Sequence, residues 1–233
     1  MNVTVLFSQT WKLCRENIIV LVPLIVPALV FMLGSFIVPG AGTDPMAAME
    51  AAGRSPVFIL LITILNVLVS LVAQGMSVIM AQEVYETGNT SISSGWSNIL
   101  SRILPLAIAT ALFSILFAIG LLLVVLPGLV VGFFLIFLLP EVVVAEKGPI
   151  PALLGSVKLV AHNSMTVAIV FLILFALGII IVLISAILGF IPVVGPILGA
   201  IIGAAYTGFS GIFVLQVYQQ LTGEHSAPGD IEI

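Results

Sequence analysis

The chain is 233 residues long, 61% hydrophobic and only 7% charged, with a mean hydropathy of +1.38. Six Lys/Arg and ten Asp/Glu cannot cover a water-soluble globule of this size, where about a quarter of residues are charged, so a soluble enzyme and a disordered chain are both excluded. A net charge of −4 without any basic cluster likewise removes nucleic acid as a partner and leaves no polybasic anchor for acidic lipids.

Taken in chain order, the first predicted element is amphipathic. Val3, Leu6, Phe7, Leu13 and Cys14 recur at helical spacing against Thr4, Ser8, Gln9, Lys12 and Arg15, the pattern of a helix lying along a membrane interface. An apolar run over 18–38 follows. It is too long for a signal h-region of about 7–15 residues and contains Pro23 and Pro27, so it reads as an uncleaved first span. The small residues Gly40, Ala41 and Gly42 keep cleavage open as the alternative. A second run covers 57–81.

A second amphipathic segment sets Ile92, Trp96, Ile99, Leu100 and Ile103 against Ser93, Ser94, Ser97, Asn98 and Arg102. It leads into runs at 103–126 and 128–145. The latter is short and carries Pro140 and Glu141, so it is the span expected to be tilted, broken or partly interfacial. The third amphipathic segment has Ile150, Leu153, Leu154, Val157 and Val160 opposite Ser156, Lys158, His162 and Asn163, ahead of runs at 165–191 and 196–219. A bilayer crossing takes about 20 apolar residues. The expected fold is therefore an all-α membrane protein of six transmembrane helices, arranged as three hairpins that each follow an interfacial amphipathic helix.

The three groups read as one repeat. Trp11 to Asn17, Trp96 to Arg102 and Val157 to Asn163 share an interval of six, each ending as an apolar run begins. Pro39-Gly40, Pro127-Gly128 and Pro192 with Gly195-Pro196 close the hairpins, and Glu86-Thr87-Gly88, Glu146-Lys147-Gly148 and Leu221-Thr222-Gly223 end the units. The units are 1–88, 89–148 and 149–223 of a single polytopic domain, 1–223, followed by a tail, 224–233. Convergent interfacial patterning is the alternative to a true repeat. Lys12, Arg15, Arg102, Lys147 and Lys158 map to one side of this arrangement. Arg54 alone maps to the other, in a loop with Asp44 and Glu50. Both termini are thus expected in the cytoplasm, and the tail with them, in a multi-pass protein of the cell membrane.

A family resemblance runs through residues 91–165. Leu126-Pro127-Gly128, the apolar stretch from Phe133 to Leu139, Pro140-Glu141-Val142-Val143-Val144-Ala145-Glu146 and the helix from Ala152-Leu153 to Asn163 carry it. This stretch resembles the membrane domain attached to some bacterial glycerophosphodiester phosphodiesterases, and related stand-alone six-span proteins. The resemblance implies fold and membrane location. It carries over no activity, because the soluble phosphodiesterase domain is not in this sequence.

Three sets of residues are singled out. Glu141 within an apolar run is costly and therefore a candidate site; the bland reading places it at the interface, solvated or paired with Arg102 or Lys158. Asn66, Ser70 and Gln74 fall four apart on one helix face. They would line a solute path together with Glu141, or serve as hydrogen-bonding helix contacts. Gly195, Gly199, Gly203, Thr207 and Gly211 form a stripe of small residues, echoed by Gly128 and Gly132, expected to let helices pack closely.

No catalytic constellation is legible. Ser210 lies in Gly208-Phe209-Ser210-Gly211, which is not a nucleophile elbow, and neither His162 nor His225 falls in an apolar run to serve as its base. Cys14 is the single cysteine, so an intrachain disulfide and a thiolate metal site are excluded. No cofactor or metal is expected, and Tyr206 and Tyr218 have no evident role. The expected function is a non-enzymatic membrane scaffold or assembly factor, partnered by the bilayer and by itself or another membrane protein. The alternative is a channel or secondary transporter for a small solute.

Overall fold

A computed structural model describes residues 3–30, 56–123, 125–191 and 194–223. Among these every regular element is a helix. In chain order they are α1 (Val3–Glu16), α2 (Ile18–Val30, 3₁₀ as far as Leu24), α3 (Pro56–Thr87), α4 (Ile92–Leu100), α5 (Ile103–Leu123), α6 (Val125–Phe134), α7 (Leu138–Val143), α8 (Pro149–His162), α9 (Ser164–Leu188) and α10 (Val194–Thr222). Residues 31–38 of the first apolar run, the loop with Asp44, Glu50 and Arg54, the turn residues Pro39, Gly40 and Pro192, and the tail 224–233 lie outside the described residues.

Local chemistry sets the boundaries. Pro56 and Pro149 open α3 and α8 at first-turn positions where a missing N–H costs nothing, and Pro105 sits in the first turn of α5. Ser91 caps α4 by accepting from the Ser94 backbone N–H at 3.1 Å, in a capping box with the Ser94 hydroxyl. Helices α3 and α10 stop alike. Gly88 (φ 75°) and Gly223 (φ 72°) take the left-handed conformation, while Thr87 and Thr222 donate to the carbonyls of Glu83 and Tyr218 four residues back.

Three helices are each long and apolar enough to cross a membrane: Leu65–Thr87, Ser164–Leu188 and Ile197–Thr222. The number rises to five if each of two bent pairs counts as one span. These helices point to a membrane-embedded protein. In the bent pairs α1 meets α2 at 82° and α4 meets α5 at 72°, so each short amphipathic helix runs roughly across the apolar helix it precedes. The run at 128–145 falls short of a continuous span. It breaks at residues 135–137 between α6 and α7, and 127–143 is only a shorter apolar helix. Backbone groups freed at such a break need partners where water is absent, and Ser156 of α8 supplies two. Its hydroxyl accepts from the Phe137 N–H at 3.2 Å and donates to the Phe134 carbonyl at 2.8 Å.

The core gathers at one end of the molecule. Every residue of α10 from Ile212 to Gln219 is buried, as are Met76 to Ala81 of α3 and five of the six residues of α7. Helix α7 touches α3, α5, α8 and α10. Helix α1 is fixed to α10 by Phe7 against Phe209 and Phe213, with centroids 5.0 and 5.9 Å apart, and by Thr10 Oγ1 donating to Gln216 Oε1 at 2.6 Å. Helix α4 lies on α3, where a Cβ at Gly95 would stand 2.7 Å from Met80 and one at Gly75 would stand 2.4 Å from Ile99. At the other end α9 and the first half of α10 expose long runs of Ile, Leu and Val.

The small-residue stripe divides along this gradient. At Gly195 a Cβ would stand 1.8 Å from the Leu188 carbonyl oxygen, and at Gly120 one would stand 2.8 Å from the Gly128 backbone, so in both places backbone approaches backbone closely at glycine. At Gly132, Gly199 and Gly211 a Cβ would make only ordinary contacts of 3.5–3.7 Å with Phe117, Ser185 and Val78. Gly203 does not hold to the expectation of close packing: no described atom lies within 4 Å of where its Cβ would be. A close approach falls at Gly208, off the stripe, where a Cβ would stand 2.4 and 2.6 Å from Leu21 and Leu24 of α2.

Candidate functional site

Two polar constellations are present, and the structure separates what the sequence suggested as one path. The first lies between the helices where they begin to diverge. Asn66, Ser70 and Gln74 on α3 face α2 and α10 and line a cavity of about 220 Å³ together with Pro27, Ala204 and Thr207. Gln74 and Thr207 also line a second cavity of about 320 Å³, walled by Phe171 and Phe175 of α9 and by Tyr206 and Ser210 of α10. The two cavities therefore adjoin at the Gln74–Thr207 pair. No Asp, Glu, Lys or Arg is among the described residues lining either.

Hydrogen bonding in this region is uneven. Tyr206 donates to the Leu174 carbonyl at 2.8 Å, Thr207 to the Gly203 carbonyl at 2.9 Å and Ser210 to the Thr207 carbonyl at 3.0 Å. Asn66 reaches the Pro27 carbonyl only at 3.4 Å and Ser70 reaches Asn66 at 3.5 Å, both beyond the usual 2.7–3.2 Å. The side-chain amide of Gln74 forms no hydrogen bond among the described residues. Tyr206 rests on α9 at Gly178, where a Cβ would stand 2.9 Å from the phenol oxygen. Thr207, expected as a packing residue, is also a lining residue of both cavities.

Glu141 is not part of this path. It is 2% exposed, in α7 on the buried side of the molecule, and it does not pair with Arg102 or Lys158. Its carboxylate lies against Gly155 of α8, where a Cβ would be 2.6–2.8 Å from the carboxylate atoms, and Lys147 Nζ is 2.5 Å from Oε2. That contact is ionic without hydrogen-bond alignment, since Oε2 has no directed partner. The chain brings Lys147 back by a tight reversal. Glu146 adopts a left-handed φ of 53°, and the Lys147 N–H donates to the Glu141 carbonyl at 3.1 Å. Arg102, freed from Glu141, bonds the Val143 carbonyl and forms an ion pair with Glu146. The constellation clamps α5, α7 and α8 together at the end opposite the diverging helices.

Among the described residues no group of three or more His, Cys, Asp and Glu could hold a metal ion. Cys14 is buried in α1, and burial pushes its thiol up to about 11. Sequence reasoning missed Tyr206, Ser210, Phe171 and Phe175 as cavity residues. The available signal was the polar step Tyr206, Thr207, Ser210 within an otherwise Ala/Gly/Ile run. Comparison of the chain with protein-family models, with curated proteins and with solved structures finds no match.

Proposed function

We propose that the chain is a non-catalytic, multi-pass scaffold or assembly factor of the cell membrane. It crosses six times as three interfacial-helix-plus-hairpin units, with both termini in the cytoplasm. The observation that carries the reading is the near-perpendicular joint at the foot of an apolar helix, at 82° and again at 72°. Each joint lays an amphipathic helix across the direction of its span, with a tryptophan outward: Trp11 is 62% exposed and Trp96 50%. Tryptophan at such a level is an interfacial anchor. The left-handed glycines ending α3 and α10 support the repeat, and the resemblance of residues 91–165 to stand-alone six-span proteins supports the location. Exposed faces of α1, α4 and α8 are where an assembly partner, either a second copy or another membrane protein, is met.

Topology is tested in a Cys14→Ala background. Asp44→Cys should react with an impermeant maleimide from outside only, and Ser97→Cys from the cytoplasm only; either reversed overturns the arrangement. The scaffold reading is tested by crosslinking in cells from Ser8→Cys, Ser97→Cys and Lys158→Cys. Discrete crosslinked species from these faces, with no solute flux in proteoliposomes, are expected. The adjoining polar cavities favour a second reading, a channel or secondary transporter for a small uncharged solute. Flux abolished by Gln74→Leu, with no crosslinked species, would put it first.

A further inference from the structure

Independently of either reading, we propose that the cavity between α3, α9 and α10 is a binding site for a neutral amphiphile with a hydroxyl head and a single hydrocarbon chain. Size admits such a molecule. About 320 Å³ exceeds the roughly 150 Å³ cavity that takes up benzene in an engineered core, and the smaller cavity shares Gln74 and Thr207 with it as lining residues. Depth suits it as well. Phe171 and Phe175 lie seven and eleven residues into α9, about 10 and 16 Å along the axis, within a hydrocarbon layer about 30 Å thick.

The lining selects the chemistry. A charged head is disfavoured, because no Asp, Glu, Lys or Arg is among the described residues that line the space and an unpaired charge at this depth is costly. Thr207, Ser210 and Tyr206 have each spent their one proton on a backbone carbonyl, so they offer only lone pairs to an occupant. The occupant must therefore donate. The amide of Gln74, which has no hydrogen-bond partner among the described residues, offers two donors and an acceptor, and an amide without a partner in an apolar medium loses several kcal/mol of hydration without return. The occupant must therefore also accept. A hydroxyl does both, whereas an ester or ketone head only accepts. The hydrocarbon chain is received by Phe171, Phe175 and Ile136, with the two phenyl rings stacked 6.2 Å apart.

The test uses the whole chain in detergent with 1-oleoylglycerol carrying a diazirine in its acyl chain, the adducts being mapped by mass spectrometry. Adducts are expected at Phe171, Phe175 and Ile136, displaced by unlabelled 1-oleoylglycerol and displaced about tenfold less well by methyl oleate, which has the chain but no hydroxyl. Gln74→Leu should lower labelling at these positions about tenfold while leaving adducts on the outward Leu172, Ile179 and Leu183 unchanged. Should Gln74→Leu fail to fold, Thr207→Val removes an acceptor at equal volume, and competition on the unaltered chain decides by itself. Labelling confined to Leu172, Ile179 and Leu183 shows bulk lipid and overturns the proposal. Cavity labelling displaced equally by both competitors overturns it too.

Discussion

Helices α3 and α10 each have two halves of similar sequence and opposite surroundings. Met76 to Ala81 and Ile212 to Gln219 are buried on all sides, whereas Leu65, Val67 and Leu68, like Val194, Leu198 and Ile201, are exposed. Leucine and valine occur in both, since a lipid tail is as apolar as a neighbouring side chain and hydropathy does not distinguish them. What differs is which elements reach each level. The short helices α1, α4, α7 and α8 add contacts at one end only, and α10 is enclosed there. At the other end fewer described elements reach the long helices, and the polar cavities lie between them. Stability and tolerance should therefore be polarised along the axis.

The largest expected effect compares one large side chain from each region. Phe213→Ala removes a fully buried ring that touches Phe7 and Phe209, and leaves a void costing about 3 kcal/mol. Leu183→Ala on the exposed face of α9 leaves none and should change stability by less than about 0.5 kcal/mol. Thermal unfolding in detergent, monitored by circular dichroism, compares the two; equal losses would mean that the buried end is not the stabilising core.

Cys14 reports on the same end kinetically. Burial pushes its thiol up to about 11 from the ordinary 9.0. At neutral pH the reactive thiolate is then scarcer by about a hundredfold in the folded chain. Native protein should react with a maleimide at least a hundredfold more slowly than denaturant-unfolded protein, and the two rates should converge only above about pH 11. Rapid reaction of native protein would show that α1 detaches from α10 readily.

How much of this was legible in the sequence differs by kind of information. Periodicity marked the amphipathic helices, and Pro140 with Glu141 marked the run that breaks. The face Asn66, Ser70 and Gln74 was visible as a face, because a helix repeats every 3.6 residues whatever it touches. Partners were not visible. Gly195 and Gly203 are equivalent on a stripe, yet one faces a backbone carbonyl and the other no described atom, because what a helix face meets is a property of the whole bundle. Glu141 was matched with cations distant in sequence, whereas the left-handed Glu146 turns the adjacent Lys147 onto it. Backbone reversals at a non-glycine residue leave no pattern to read.

Glycine substitutions sharpen the comparison at the middle of the scale. Gly195→Ala drives a Cβ into the Leu188 carbonyl, and Gly120→Ala drives one into the Gly128 backbone. Backbone cannot rotate aside as a side chain can, so each should cost on the order of 1–3 kcal/mol. Gly203→Ala should instead be neutral or stabilising by up to about 1 kcal/mol, the difference in helix propensity. A loss at Gly203 as large as at Gly195 would restore the continuous packing stripe.

The smallest expected effects test whether the polar clamp belongs to the buried end or merely borders it. Glu141 and Glu146 each meet one cation, but their carboxylates are 3% and 66% exposed. An exposed ion pair is screened by water and salt and contributes about 0.2–1 kcal/mol. Removing the partner of a buried carboxylate leaves an uncompensated charge, which costs about 3–5 kcal/mol when both members are enclosed. Lys147 is itself 42% exposed, so water can partly replace its ammonium and the cost of Lys147→Met falls to about 1 kcal/mol. Glu146→Gln should cost no more than a few tenths, because Arg102 keeps its bond to the Val143 carbonyl. The double variant Lys147→Met with Glu141→Gln separates charge from packing. It abolishes the stranded charge while preserving the volume lying on Gly155, so it should recover most of what Lys147→Met loses. If unfolding midpoints show no recovery, Lys147 acts through its aliphatic stem rather than its charge, and the clamp is a packing feature of the α7–α8 corner.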